Sequence, residues 1–260
     1  MTLPISVQVL TLNSARHLRA CLESVRGFDE VILCDNGSTD DTLEIARSFA
    51  NVRVMHSPFI GFGPLRRLAT AQAGHDWILA LDSDEQLSAE ACQEIVALHA
   101  SLNPQTLYAL PRRNRYRGQV IRCCGWHPDY VSRLFHRRVT TYSAALVHES
   151  VILQPGMRVV KLRQVIHHDS FDGVSGLIDK MQRYSDLYAR QYAGKRHASV
   201  PMVVLKTFVA FIKNYIIQGG ILDGANGFLI SVSNATGVFF KYMKLRELNS
   251  QLSLRSTREE

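Results

Sequence analysis

The sequence predicts an α/β protein, with a mostly parallel sheet covered by helices on both faces and a helical extension behind it. Three observations predict it. In the first hundred residues, short apolar runs alternate with segments of helical spacing, the pattern that builds parallel sheets. From Asp172 the spacing is helical almost to the end. The chain has 260 residues, 46% of them hydrophobic, enough to bury one substantial core.

Ile5–Thr11 reads as the first strand. Ser14–Arg26 has helical spacing at Leu18, Cys21, Leu22 and Val25. Glu30–Cys34 is the second strand. Thr39–Ala50 is a helix with acidic residues in its first turn, where they meet the positive end of the dipole. Val52–His56 is the third strand, and Gly63–Ala73 a helix with Pro64 in its first turn. Asp76–Leu81 is the fourth strand and Ser88–Ser101 the next helix. Shorter strand-like pieces follow at Leu107–Pro111, Gln119–Cys123, Tyr130–His136, Val151–Leu153 and Arg158–His167. The expected organisation is a domain over 1–170, with a ligand-binding half (1–105) and a mixed-sheet half (106–170), then a helical extension over 171–260.

Composition narrows the class. There is no repeat or low-complexity tract. Five cysteines, two of them adjacent and none in a C-x-x-C pair, suit neither a disulfide framework nor a zinc site. A reducing, cytoplasmic setting is expected. Met1–Leu10 has no basic, apolar character of the kind that exports a chain. The net charge is +7, and from Arg190 onward ten Lys/Arg face four Asp/Glu. Such a balance suits a phosphorylated ligand, an anionic membrane surface or nucleic acid. Nucleic acid is disfavoured: the basic residues are not interleaved with stacking aromatics in a recognised module. No G-x-G-x-x-G follows the first strand, which disfavours a dinucleotide-binding dehydrogenase.

Two acidic clusters sit where strands of such a sheet end, the place where ligands bind. Asp35-Asn36-Gly37-Ser38-Thr39-Asp40-Asp41 contains turn and capping residues, but Asp35 ends an apolar strand and is placed to accept from a base or ribose. Asp82-Ser83-Asp84-Glu85 follows Trp77–Leu81. Acids emptying from a buried strand are costly unless a cation sits there, and oxygen ligands two residues apart suit Mg²⁺ or Mn²⁺ on a diphosphate. A solvated turn before the next helix is the simpler account of this cluster alone.

Leu10-Thr11-Leu12-Asn13, the Asp35 cluster, Arg66-Arg67 and Asp82-Ser83-Asp84-Glu85 together resemble the family 2 glycosyltransferases of the GT-A fold, a Rossmann-like sheet. The resemblance implies that Thr11 and Asn13 line a nucleotide pocket and Asp35 contacts uracil. It implies that Arg66 or Arg67 approaches the nucleotide, that Asp82 lies on the nucleotide-sugar side and that Asp84 ligates a divalent metal. Gly125-Trp126-His127-Pro128-Asp129-Tyr130, Arg133-Leu134-Phe135, Val147-His148-Glu149, His168, Phe171, Lys180 and Arg183 resemble a bacterial subgroup that includes lipopolysaccharide core glucosyltransferases. The tail, from Asn214-Tyr215 through Gly219–Gly224 to Lys241-Tyr242, is similar too. Many members carry Tyr where this chain has His127, which bears on acceptor choice. The implied reaction is inverting transfer of a hexose, glucose from UDP-glucose, to a lipopolysaccharide core sugar. Polyprenyl phosphate or another surface glycan is the alternative acceptor, and a non-catalytic nucleotide-binding module the alternative class.

Inverting transfer needs a carboxylate to take the acceptor proton. Glu149 is the first candidate and Asp129 the second, against a surface salt bridge. His148 and His168 are candidates for the metal or a phosphate, although a histidine is more often structural. Lys180 and Arg183, three apart on a helix, could clamp a diphosphate, against a solvated helix face. Arg133 is a further candidate phosphate or acceptor contact. Val200–Ile217 is apolar but carries Lys206 and Lys213 on one face, near Asn214 and Gln218, which argues against spanning. The two expectations are a helix in the interface of an anionic cytoplasmic leaflet and a helical subdomain packed on the core.

Overall fold

A computed structural model describes residues 2–259, with side chains for 2–252; Met1, Glu260 and the tail charges Arg255, Arg258 and Glu259 lie outside the described residues or side chains. The chain divides into two compact units, Met1–Arg113 with Pro128–Ser170, and Asn114–His127 with Phe171–Glu260. In chain order the elements are β1 (Leu3–Thr11), α1 (Ala15–Ser24), β2 (Phe28–Asp35), α2 (Thr42–Arg47), β3 (Val52–His56), α3 (Phe62–Ala71), β4 (Trp77–Asp82), β5 (Glu85–Leu87) and α4 (Ala89–Leu98). Then come β6 (Thr106–Tyr116), β7 (Gln119–Val120), β8 (Asp129–His136), β9 (Arg158–Lys161), β10 (Ile166–Phe171), α5 (Val174–Tyr192), α6 (Val200–Ile212) and α7 (Gly224–Glu259).

The sheet runs β3-β2-β1-β4-β8-β6-β10-β5. Its first four strands are parallel, and β8 joins β4 antiparallel. This is the α/β architecture expected, followed in the chain by a helical extension. Alternation along each strand splits the core in two. Val7, Val9, Val31, Leu33, Leu79 and Leu81 pack under α1, α2 and α4. Ile32, Cys34, Ile78 and Ala80 pack under α3, with Phe135 and Tyr142 beside them. Both faces are covered, so the parallel strands end together and empty into the loops that follow β1, β2 and β4.

Five elements differ from the sequence reading. The helix expected over Thr39–Ala50 forms only at Thr42–Arg47. The residues before it brace the β1–α1 loop instead: Thr39 N–H donates to Asn13 Oδ1 (2.8 Å) and the Asp40 carboxylate accepts from Ala15 N–H (3.1 Å). Arg158–His167 is two strands, because the Arg163 and Gln164 amides turn aside to the Glu94 carboxylate at 3.1 and 2.9 Å. Val151–Leu153 makes only an isolated bridge from Val151 to Tyr142. The strand expected over Gln119–Cys123 shortens to β7, paired with Arg115 and Tyr116. Glu85–Leu87, which lacked any signal of its own, is a strand because β10 pairs with it.

In the second unit, Tyr116, Ile121, Cys123 and Cys124 pack on Leu177 of α5 and Ile230 of α7. A further cluster joins Tyr188, Ala198, Val203 and Leu245 across the three helices.

One close approach fixes a loop in the first unit. The start of α3 receives the 143–146 segment main chain to main chain: Phe62 N–H donates to Leu146 C=O (3.1 Å) and Gly63 N–H to Ala145 C=O (3.0 Å). A Cβ on Gly63 would sit 2.1 Å from the Ser143 carbonyl oxygen and 2.7 Å from that of Ala145. Backbone atoms cannot give way as a side chain does. Gly63→Ala is therefore expected to lose about 1–3 kcal/mol in urea unfolding, whereas Gly27→Ala, with open space around it, stays near wild type.

Candidate active site

Asp35 ends β2 beside Thr11 of β1 and is 1% exposed. The turn after it folds back to satisfy its carboxylate. Gly37 N–H donates to Oδ2 at 3.0 Å, Ser38 N–H at 3.1 Å, and the Ser38 hydroxyl to Oδ1. His56 approaches to 3.5 Å. Gly37 holds φ +101, a conformation glycine takes without strain. Thr11 is buried and its hydroxyl has no hydrogen-bond partner among the described residues. An orphaned buried hydroxyl at a strand end implies a group supplied from outside. Asn13, at φ +50, ties the two loops: its N–H donates to Ser38 Oγ (2.9 Å) and its Oδ1 accepts from Thr39.

At the end of β4 the acids divide into two kinds. Asp82 and Glu85 enter a continuous alternation of charge. Arg66 reaches Asp82 Oδ1, Arg133 reaches Asp82 Oδ2 (2.6 Å) and Glu85, Arg112 reaches Glu85 (3.1 Å), and Arg112 Nε donates to Asp129 (2.8 Å). Arg66 and Glu85 are fully buried. Burial alone would raise the Asp82 pKa; the Arg133 and Arg66 guanidiniums overcome it and hold the carboxylate well below its usual range.

Asp84 meets a histidine. Its Oδ2 lies 3.3 Å from Nε2 of buried His168, whose Nδ1 is 2.9 Å from Ser170 Oγ. The β5–β10 pairing makes the meeting: His168 is in register with Glu85, and Asp169 N–H donates to the Asp84 carbonyl (3.0 Å). Ser83 Oγ meets Ser14 Oγ at 2.8 Å, fastening the β1–α1 loop to the same strand end.

Glu149 lies on the segment docked against α3. Burial raises its pKa, the negative charge of Asp82 adds to that, and Arg66 opposes it. Glu149 is thus within electrostatic reach of the Asp82 group. Tyr142 belongs to the same surroundings. Its hydroxyl is buried with no hydrogen-bond partner among the described residues, Arg66 lies 5.8 Å from its ring, and burial raises its pKa.

The structure places the sequence candidates as follows. Arg66 is not open to a nucleotide: at 0% exposure it bonds the Gln8 and Leu81 carbonyls (3.3 and 2.9 Å) and Asp82, so it positions the strand end. Arg67, the next residue round the helix, is the exposed one. Asp82 is held by Arg66 and Arg133. Asp129 is paired with Arg112. Asp84 and His168 come together, but among the described residues no three His, Cys, Asp or Glu gather around one point. His148 is exposed, at φ +57. Lys180 and Arg183 belong to α5 of the second unit, where the Lys180 ammonium sits 4.8 Å from the Phe171 ring centre.

Glu85, Arg112, Tyr142 and Gly63 were not singled out individually as site residues in the sequence.

Comparison with known proteins adds the following. The family model described as "Glycosyl transferase family 2" matches residues 6–139. An uncharacterised glycosyltransferase of Rickettsia typhi is 27% identical over 257 residues, spanning 94% of this chain and 87% of its own. The lipopolysaccharide core biosynthesis glycosyltransferase LpsC of Rhizobium meliloti is 25% identical over 255 residues, 94% of this chain and 92% of its own. Among solved structures, S. aureus TarS 1-349 in complex with UDP-GlcNAc aligns with 98% of this chain and 92% of its own at 14% identity and a TM-score of 0.47.

Arg133→Met leaves buried Glu85 and half-buried Asp82 short of a counter-charge. The expected loss is at least about 3 kcal/mol at neutral pH, carried mainly by Glu85, since water screens the open side of Asp82. A depressed carboxylate pKa contributes stability above the unfolded value, about 3.9 for Asp, and loses it as pH falls through the folded value. Urea unfolding across pH 7 to 3 is therefore expected to bring the variant and wild type closer at the acid end.

Proposed function

The chain belongs to glycosyl transferase family 2, and from that premise we propose an inverting, metal-assisted transfer of glucose from UDP-glucose to a sugar of the lipopolysaccharide core. That it is a glycosyltransferase follows from the family. The donor, the acceptor and the role of each residue are our reading. One observation carries it: the half-buried carboxylate of Glu149 lies within electrostatic reach of Asp82 at the β4 end, where Asp84 meets buried His168. The near full-length relation to LpsC supports the acceptor class.

In this reading, residues 1–105 hold the donor, 106–170 the acceptor, and 171–260 are a helical extension at the inner face of a bacterial inner membrane. Asp35 and the orphaned Thr11 hydroxyl meet the uracil edge, with Asn13 holding the surrounding loops. Arg67 is placed on the exposed side of α3, and Lys180 and Arg183 remain candidates for the diphosphate. Asp84 and His168 fit a divalent cation on a diphosphate, because Mg²⁺ or Mn²⁺ in such a site takes one or two protein carboxylates and completes its shell with phosphate and water. His148 is a further candidate. The cation, when bound, neutralises charge on the departing diphosphate.

The chain's own groups do the rest. Glu149 accepts the proton of the acceptor hydroxyl as that oxygen bonds to the anomeric carbon and the bond from that carbon to the diphosphate breaks, releasing UDP. Arg66 and Arg133 hold Asp82 ionised, and burial together with that charge raises the proton affinity of Glu149.

Three measurements test this. UDP is expected to raise the melting temperature only with Mn²⁺ or Mg²⁺ present, and Asp84→Asn to lose the effect while keeping its fold. Glu149→Gln is expected to bind UDP normally and to lose about two to four orders of magnitude in turnover. A near-normal Glu149→Gln beside an inactive Asp129→Asn would move the base to Asp129. Because Glu149 works unprotonated and its pKa is raised, kcat/KM is expected to fall with decreasing pH at a point above the ordinary glutamate value, about 4.3.

A further inference from the structure

A helix of a water-soluble unit buries its apolar stripe and turns its polar one to solvent. α6 does the reverse. Its inward arc is Val203, Thr207, Ala210 and Asn214, spaced three and four apart. Val203 is fully buried, and Asn214 accepts a hydrogen bond from Asn234 Nδ2 of α7 at 2.9 Å. The opposite arc carries Val204, Leu205, Phe208 and Val209, each between 52% and 62% exposed. Apart from Val203 the inward arc is small or polar, and the large apolar side chains of the opposite arc face outward.

The outward stripe does not stop with the helix. It continues through Ile216 and Ile217 to the turn before α7, where Ile217 is 76% and Leu222 85% exposed. Phe228, at the start of α7, is exposed as well. Scattered apolar residues at a surface are ordinary, but a continuous stripe of this kind marks an interaction site.

Charge indicates what it meets. The second unit holds fifteen Lys/Arg against seven Asp/Glu, and the first fifteen against sixteen. The whole positive excess of the chain is on the unit that bears the stripe. Lys206 and Lys213 flank the stripe on one side, and the Lys206 ammonium folds back to the Tyr242 hydroxyl (3.3 Å), at the margin of the apolar arc. Val200–Ile217 is apolar enough by length and composition to cross a membrane. Crossing would carry two lysines and Asn214 into hydrocarbon, while lying flat leaves them at its edge.

We propose that this face docks on the surface of an anionic lipid bilayer. α6 and the turn after it lie in the interface plane, with Phe208, Ile217 and Leu222 entering the acyl boundary and Lys206 and Lys213 meeting lipid phosphates. The proposal narrows the reading of a membrane-borne acceptor to one surface and one orientation of α6.

The test is flotation of the full chain with phosphatidylcholine vesicles, with and without phosphatidylglycerol. Wild type is expected to float only with phosphatidylglycerol. Phe208→Ser/Ile216→Ser and Lys206→Glu/Lys213→Glu are each expected to lower binding at least about tenfold, with far-UV spectrum and metal-dependent UDP binding unchanged. Phe208→Trp is expected to shift its emission to the blue on vesicles and to be quenched by brominated acyl chains. Wild type that stays in solution with both vesicle types would overturn the proposal, as would serine variants that float like wild type. A dimer in sedimentation equilibrium that the serine pair dissolves, without vesicle binding, would assign the face to a second copy instead. Flotation without any UDP response would remove the UDP-donor reading and leave the docking surface standing.

Discussion

Moving a carboxylate out of water costs several kcal/mol unless a cation follows it. The first unit carries that difficulty at the end of β4, where Glu85 is wholly buried and Asp82 half so. Three guanidiniums answer it in strict alternation: Arg66 from α3, Arg133 from β8 and Arg112 from β6, with Asp129 of β8 closing the series. Each member belongs to a different element or a different point on one, so the ion series also fixes how those elements meet. Removing any one member would take a counter-charge from each neighbour it touches.

The same arrangement decides which acids stay available. Two of the three carboxylates in Asp82-Ser83-Asp84-Glu85 are held by arginines, and Asp84 meets the imidazole of His168. Glu149 feels the series from outside. Its pKa rises through burial and the charge of Asp82, whereas Asp82 is held low by Arg133 and Arg66. Two acids in one neighbourhood pushed in opposite directions is how a protein keeps one permanently charged and the other ready to take a proton.

Much of this was legible in the sequence. Alternating apolar residues located β1 to β4, and the acids at the ends of β2 and β4 marked Asp35 and Asp84. What stayed hidden depends on contacts between distant parts of the chain. β5 exists only through β10, and His168 reaches Asp84 only through that pairing. Arg66 looked like a ligand contact because its chemistry suits phosphate; its burial is a property of packing, which local pattern does not carry. α6 was legible as apolar and basic, but which of its arcs faces outward is set by α7.

The segment leading to Glu149 is held by main-chain groups: the Leu146 and Ala145 carbonyls on the amides of Phe62 and Gly63. No side chain of residues 144–146 takes part in those bonds. Ala144 and His148 are exposed. Selection can therefore rewrite the rim around the carboxylate without displacing it. Divergence among relatives in what they accept has, at this rim, a route that leaves the fold untouched.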